Sequence, residues 1–112
     1  MELVIELERV EVALADPDDC GRLALRILGP PGAAPATHLH RLGDVLGGLG
    51  LGRLREDGDA LVALEALRFW AAGQVDDGWE DRFDAMCEYA ASRGWVDPLD
   101  GALQAHVVWP GA

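Results

Sequence analysis

Apolar and polar residues alternate at the start of the chain, as they do in a β-strand with one buried face. Leucine, isoleucine and valine hold every second position until the alternation shifts by one residue near Glu8 and Arg9. A β-bulge inserts one residue and produces such a shift. We therefore predict one strand from Glu2 to Leu14, with a bulge near its middle.

The next segment carries the start and end signals of a helix. Asp16 suits the N-cap position, Pro17 is favoured in the first turn, and acidic residues follow it. Gly29, followed by two prolines, is typical of a helix end. These signals predict a helix from Pro17 to Leu28 and then a loop over residues 29–36.

Apolar residues return at helical spacing from Leu39 to Leu49, with Thr37 as a suitable cap. Beyond them, Asp57-Gly58 stands between two strand-like arms, which favours a hairpin from Leu51 to Ala66. The second arm passes into a helical pattern near Glu65. The middle of the chain therefore reads helix, hairpin, helix.

The clearest helical stripe begins at Trp79, because apolar residues follow it at offsets of four, seven, eight and eleven. This helix is predicted to end at Gly94. The turn residues Asp97 to Gly101 then separate Trp95-Val96 from an alternating segment that runs from Ala102 to Trp109. They predict a second hairpin.

These elements fit a single α+β domain over residues 1–112. The N-terminal strand and the two hairpins supply about five strands, in an antiparallel or mixed sheet. Three to four helices are expected to pack on one face of that sheet. The helix-then-hairpin order occurs twice along the chain.

The net charge of the chain limits the kinds of partner that we expect. Nine basic residues face twenty acidic ones, which gives a formal net charge of -11. Such a field repels phosphate backbones and anionic headgroups, so we expect no nucleic-acid and no membrane partner. The chain shows neither the basic start of a secretory signal nor an apolar run of membrane-spanning length, and a cytoplasmic location is the expectation.

The residue inventory limits the chemistry. The chain has no lysine and no asparagine, and its hydroxyl groups are confined to Ser92, Thr37 and Tyr89. We interpret this bias as that of a GC-rich bacterial genome. It removes Schiff-base and phosphate-loop lysines, and no cofactor motif is present, so histidine and carboxylates remain for catalysis.

Two residues are the catalytic candidates. His106 lies on the last predicted strand, and Glu65 lies among apolar residues at the end of a hairpin arm. Burial shifts the pKa of a carboxyl group and prepares it for proton transfer, so the two residues could form an acid-base couple. A histidine that is simply part of the core is the other interpretation of His106.

Three further groups suggest binding. His38 and His40 point about 200° apart on a helix, so we predict no metal site there, although metal binding by either stays an alternative. Arg53 and Arg55 form a close pair that could bind an anion. The four tryptophans are candidates for a partner surface or a pocket rim. They are Trp70, Trp79, Trp95 and Trp109.

Two segments resemble parts of known families. Val10–Gly29 is similar to the opening strand and helix of a vicinal-oxygen-chelate module, and Asp97–Gly101 to the turn near its end. Leu39–Leu64 is similar to the recognition helix and wing of a winged-helix repressor. The first family's metal ligands have no counterparts at suitable strand positions here, and the acidic charge does not suit DNA, so the sequence identifies no family.

Two functions follow from these observations. The favoured one is a non-catalytic interaction or regulatory domain that binds another protein or a second copy of the chain through its tryptophan-bearing elements. The alternative is a small cofactor-free enzyme, such as an isomerase, cyclase or hydrolase, with His106 and a carboxylate in an apolar pocket. A small apolar ligand is a further candidate partner.

Overall fold

The structure is a computed structural model that describes residues 1–29, 35–99 and 101–110, without the side chains of residues 35–37. These residues form seven strands and three helices. The strands are β1 (Glu2–Glu6), β2 (Glu11–Ala15), β3 (Ala24–Leu28), β4 (Gly52–Leu54), β5 (Ala60–Ala63), β6 (Val96–Asp97) and β7 (Ala102–Val108). The helices are α1 (Pro35–Gly48), α2 (Leu64–Ala71) and α3 (Trp79–Ser92).

The strands form one mixed sheet in the order β2-β1-β3-β7-β5-β4. β1 pairs antiparallel with β2 and parallel with β3, which in turn is parallel to β7. β7 is antiparallel to both β5 and β6. The α+β class with a mixed sheet is confirmed, and the expected five strands become seven.

Alternate residues of the strands face the helices and form the core. Leu3 and Ile5 on β1, Leu25 and Ile27 on β3, and Val107 on β7 are all buried. The helix α2 contacts both β5 and β2, which stand far apart in the strand order, so the sheet curls around the helices. The outer face of the sheet carries the other alternate side chains.

The prediction of one N-terminal strand is wrong. The chain reverses after β1 and returns as β2, so the shift of alternation marks a turn over residues 7–10 and not a bulge. The Glu6 carboxylate accepts hydrogen bonds from the backbone N–H groups of Glu8 and Arg9, at 3.2 and 2.7 Å. A side chain that binds the backbone two and three residues ahead stabilises such a turn.

The predicted helix from Pro17 to Leu28 is also wrong. Residues 16–23 form turns, and residues 24–28 form β3. Within β3 the buried residues Leu25 and Ile27 alternate with exposed Arg26, which is the period of a strand. The parallel pairing of β3 with β1 and β7 supplies the hydrogen bonds that a helix would otherwise make.

The remaining elements agree with the sequence. The Asp57-Gly58 turn joins β4 and β5, α2 begins at Leu64 next to the predicted change at Glu65, and α3 begins at Trp79. The second hairpin is β6–β7. The predicted loop over residues 29–36 falls mostly on residues 30–34, which lie outside the described residues, as does the Thr37 side chain that was expected to cap α1.

Candidate functional site

His106 lies on the outer face of the sheet, near the centre of β7. Its Nδ1 is 3.2 Å from Oδ1 of Asp59, the residue just before β5. Gln104, two residues earlier on the same face, donates from Nε2 to the other Asp59 oxygen at 2.9 Å. The His106 side chain is 77% exposed, so this pair stands in contact with solvent and not inside a pocket.

The Asp59 carboxylate is held in its charged form by this arrangement. The Gln104 hydrogen bond, and after it the His106 contact, lower the pKa of Asp59 below its ordinary value. Arg55 continues the row, because its guanidinium donates to Gln104 Oε1 at 2.9 Å and lies 3.2 Å from Asp57. His106, Asp59, Gln104, Arg55 and Asp57 are therefore connected through successive contacts, and we call these five residues the polar row.

Glu65, the other catalytic candidate, is not part of this row. It is exposed in the first turn of α2, directly after the end of β5. Ala63 pairs with Ala102, and His106 lies four residues further along β7, which corresponds to roughly 13 Å. His106 is therefore paired with Asp59 and separated from Glu65 by the strand register.

Arg53 and Arg55, the anion-binding candidates, both line an open depression of about 670 Å³. Each arginine already has a carboxylate partner there: Arg53 is 3.1 Å from Asp97, and Arg55 is 3.2 Å from Asp57. Glu56 also lines the depression. An anion would have to compete with these carboxylates for the guanidinium groups.

Two of the four tryptophans belong to the core or its edge. Trp79 is 2% exposed, stacks on Phe83 at 4.6 Å, and donates from Nε1 to the backbone oxygen of Pro17 at 2.6 Å. Trp70 is partly buried against the core and makes an edge contact with Phe69. The Trp79 ring therefore presents no surface to a partner.

Trp95 has a different environment. It lies between α3 and β6, is 41% exposed, and meets Tyr89 of α3 edge to face with 6.0 Å between ring centroids. Tyr89 is 58% exposed. The Arg93 guanidinium lies over both rings, 5.6 Å from Trp95 and 6.0 Å from Tyr89. We call these three residues the aromatic surface.

A crevice of about 370 Å³ opens beside the aromatic surface. Its apolar floor contains Leu23, Met86 and Leu103, and the rings of Tyr89 and Trp95 form part of its wall. The remaining lining residues are Gly21, Arg22, Ala90 and Gln104. The crevice lies beside β7, between the residues of β7 that pair with β6 and those that pair with β3.

The last tryptophan meets one of the paired histidines. The rings of Trp109 and His38 stack 6.2 Å apart, with 7° between their planes. His40 instead lies 3.6 Å from Asp44, one turn further along α1. The two histidines therefore face different neighbours, and a search of the described residues finds no cluster of three or more metal-ligating side chains.

Sequence reasoning missed Asp59, Tyr89 and Arg93. Asp59 follows the hairpin turn and was assigned only to the start of the second arm, without a functional role. Tyr89 and Arg93 are four residues apart at the end of the clearest helix, and Trp95 follows the glycine that ends it. The four-residue spacing brings the side chains of Tyr89 and Arg93 close together at a helix end and was available as a signal.

Comparisons with known proteins supply no relative: no family model, no curated protein and no solved structure matches the chain. Among the described residues, the helices are too short or too polar to cross a bilayer.

Proposed function

We propose that this protein is a non-catalytic interaction domain that binds another protein, or a second copy of itself, through the aromatic surface of Tyr89, Arg93 and Trp95. The single observation that carries the proposal is the contact between two exposed aromatic rings, one on α3 and one in the connection to β6, with a guanidinium over both. Trp, Tyr and Arg are the residue types most enriched among the residues that dominate binding energy at interfaces.

Local rigidity supports this choice of surface. Tyr89 is anchored in the last turns of α3, and the Trp95 backbone N–H donates to the Ala90 oxygen at 2.9 Å. The Trp95 oxygen accepts from the Gln104 N–H at 2.7 Å, which fixes the tryptophan to β7 as well. Rings held in place before binding lose little conformational entropy when a partner covers them.

Acid-base catalysis is the second candidate, and one observation favours it. His106 and Asp59 are within hydrogen-bond distance, as a base and its orienting carboxylate must be. Catalysis of this kind also calls for a site that shields the substrate from water. The 77% exposure of the His106 side chain ranks this candidate below the first.

Selection from a displayed peptide library tests the proposal. Peptides enriched on the wild-type protein are expected to lose most of their affinity for Trp95→Ala, because truncation of a central interface residue costs 2 kcal/mol or more, roughly thirtyfold. Phe69→Ala is the matched control, since Phe69 is an exposed aromatic residue, 72% accessible, on a different helix. Its binding is expected to match that of the wild type.

Sedimentation equilibrium tests whether the protein binds a second copy of itself. The wild type and the same two variants are measured over a range of protein concentrations. A dimer that weakens in Trp95→Ala and not in Phe69→Ala would support binding to a second copy. The proposal fails if selected peptides and any dimer are insensitive to Trp95→Ala, or if the library yields no binder and the protein stays monomeric.

A further inference from the structure

The crevice beside the aromatic surface differs in charge from its surroundings. The chain carries twenty acidic residues, yet none of the described residues that line the crevice is Asp or Glu, and one of them is Arg22. The depression at Arg53 and Arg55, in contrast, is lined by three carboxylates. In a strongly acidic protein, Arg22 is therefore the only charged residue among the described residues that line this largely apolar crevice.

Arg93 adds a second positive group next to the crevice: it is not a lining residue itself, but it lies over Tyr89 and over Trp95, the ring that the crevice shares with the depression at Arg53 and Arg55. Six of the nine arginines lie within 4 Å of a described carboxylate, but no described carboxylate lies within that distance of Arg93. Its guanidinium rests instead on Tyr89 and Trp95, the rings that form part of the crevice wall. A stacked guanidinium keeps its N–H donors at the ring edges, where a carboxylate can accept them.

Arg22 is a weaker contributor. Its Nε is 3.7 Å from Asp19, and its side chain is 86% exposed, so it makes a loose surface pair. It lines the crevice on the side of the loop before β3. The side chains of Leu23, Met86 and Leu103 in the lining offer no hydrogen bond to a ligand, and Gln104 is the one uncharged polar side chain with an amide among the described lining residues.

From this geometry we propose that the crevice binds an apolar side chain of the partner and that Arg93 pairs with a carboxylate next to that side chain. This inference rests on the proposed function, because it assigns the partner chemistry of the same surface. The volume of about 370 Å³ is enough for one large aliphatic or aromatic group. The partner segment is accordingly an apolar residue beside an acidic residue or a carboxyl terminus.

Two small probes that differ by one charge test the inference. N-acetylphenylalanine carries the apolar group and the carboxylate, and its primary amide carries the same group without charge. Titration of each into isotope-labelled wild-type protein, followed by backbone and methyl resonances, is expected to shift signals of Leu23, Met86 and Leu103. The acid should bind roughly fivefold more tightly than the amide, as for an exposed ion pair.

Arg93→Gln is the decisive variant, and Arg41→Gln on the exposed surface of α1 is its matched control. Arg93→Gln is expected to remove the preference for the acid while the amide still binds, and Arg41→Gln to keep the preference. Equal binding of acid and amide to the wild type, a preference that survives Arg93→Gln, shifts that map outside the crevice, or no shift at millimolar probe would each overturn the inference.

The two proposals fail in different ways. If library peptides depend on Trp95 but the probes show no acid preference, the interaction domain stands and the assignment of its partner chemistry is wrong. If the probes bind as expected while no peptide depends on Trp95, the crevice is a small-molecule site and the proposed protein interaction is wrong.

Discussion

A tryptophan, a second aromatic ring and an arginine meet at each end of α3, and the rings are packed in the core at its start and exposed at its end. At its start, Trp79 stacks on Phe83 in the core, and Arg68 lies 5.1 Å above the Phe83 ring. At its end, Tyr89 meets Trp95 at the surface, and Arg93 lies over both rings. One helix therefore joins a buried aromatic pair to an exposed one.

The arginines show what separates the two ends. Arg68 also lies 3.4 Å from Glu80 and 3.3 Å from Asp84, so its guanidinium has two carboxylate partners within the domain. Arg93 has aromatic partners but no carboxylate among the described residues. The first end uses its aromatic-arginine cluster for stability, whereas the second leaves donors available for binding.

The largest expected difference between the two ends is in stability. Trp79→Ala should lower the free energy of unfolding by about 3–5 kcal/mol, because it opens a cavity and leaves the Pro17 oxygen without its donor. Trp95→Ala should lower it by less than about 1 kcal/mol, since its ring is partly exposed. Urea denaturation measures both. Equal losses would contradict the assignment of the two ends.

If Trp79→Ala does not fold, Trp79→Phe is the variant to measure. It keeps a ring beside Phe83 and removes the N–H, so a loss of about 1–2 kcal/mol is expected from the hydrogen bond alone.

The two thiols offer a second, smaller test. Burial raises the pKa of both Cys20 and Cys87, so at neutral pH each is a slowly reacting thiol. Cys20 lies beside the Pro17 oxygen that Trp79 binds. Trp79→Phe should therefore raise the rate at which Cys20 reacts with an aromatic disulfide by roughly tenfold, because the loop that contains Pro17 and Cys20 opens more easily. Trp95→Ala should leave the rate unchanged.

The pH dependence of the same thiols has a defined sign. Because their pKa values are higher in the folded state, the folded protein holds these protons more tightly than the unfolded chain. Their contribution to stability is complete below about pH 8 and is lost as the pH rises through the folded pKa values. The free energy of unfolding of the wild type, measured relative to that of a variant without the cysteines, should therefore fall as the pH rises in the alkaline range. A rise in this difference would contradict the prediction.

The smallest expected effect comes from the arginines. Arg68→Gln should lower the free energy of unfolding by about 0.5–1 kcal/mol in low salt, and less in high salt, because it removes two partly exposed ion pairs. Arg93→Gln should change it by less than about 0.5 kcal/mol at either salt concentration. A larger or salt-dependent loss in Arg93→Gln would mean that Arg93 has a structural role.

The sequence predicted the elements whose signals are local. The apolar stripe after Trp79 identified α3, and Asp57-Gly58 identified the first hairpin. The segment of β3 was misread because two patterns fit it equally well. The positions of Leu23, Ile27 and Leu28 fit a helix, and those of Leu25 and Ile27 fit a strand. Pairing with β1, which is distant along the chain, decided between them.

The same limit applies to the polar row on the sheet. His106 was recognised as a candidate, but its partner Asp59 became apparent only with the register in which Ala60 pairs with Ala105. Glu65 looked suitable because apolar residues surround it along the chain. In the structure the buried apolar residues lie on the side of α2 opposite Glu65. Of the three residues of the aromatic surface, the sequence singled out Trp95 and neither Tyr89 nor Arg93.

The pairing of β7 has a consequence for synthesis on the ribosome. β7 is the last of the described strands, and it joins the β2-β1-β3 part of the sheet to the β5-β4 part. Until it emerges, β3 and β5 each present an unpaired edge that could associate with other nascent chains. Because the eleven excess negative charges repel copies of the same chain, we expect the acidic composition to oppose such association while the sheet is still open.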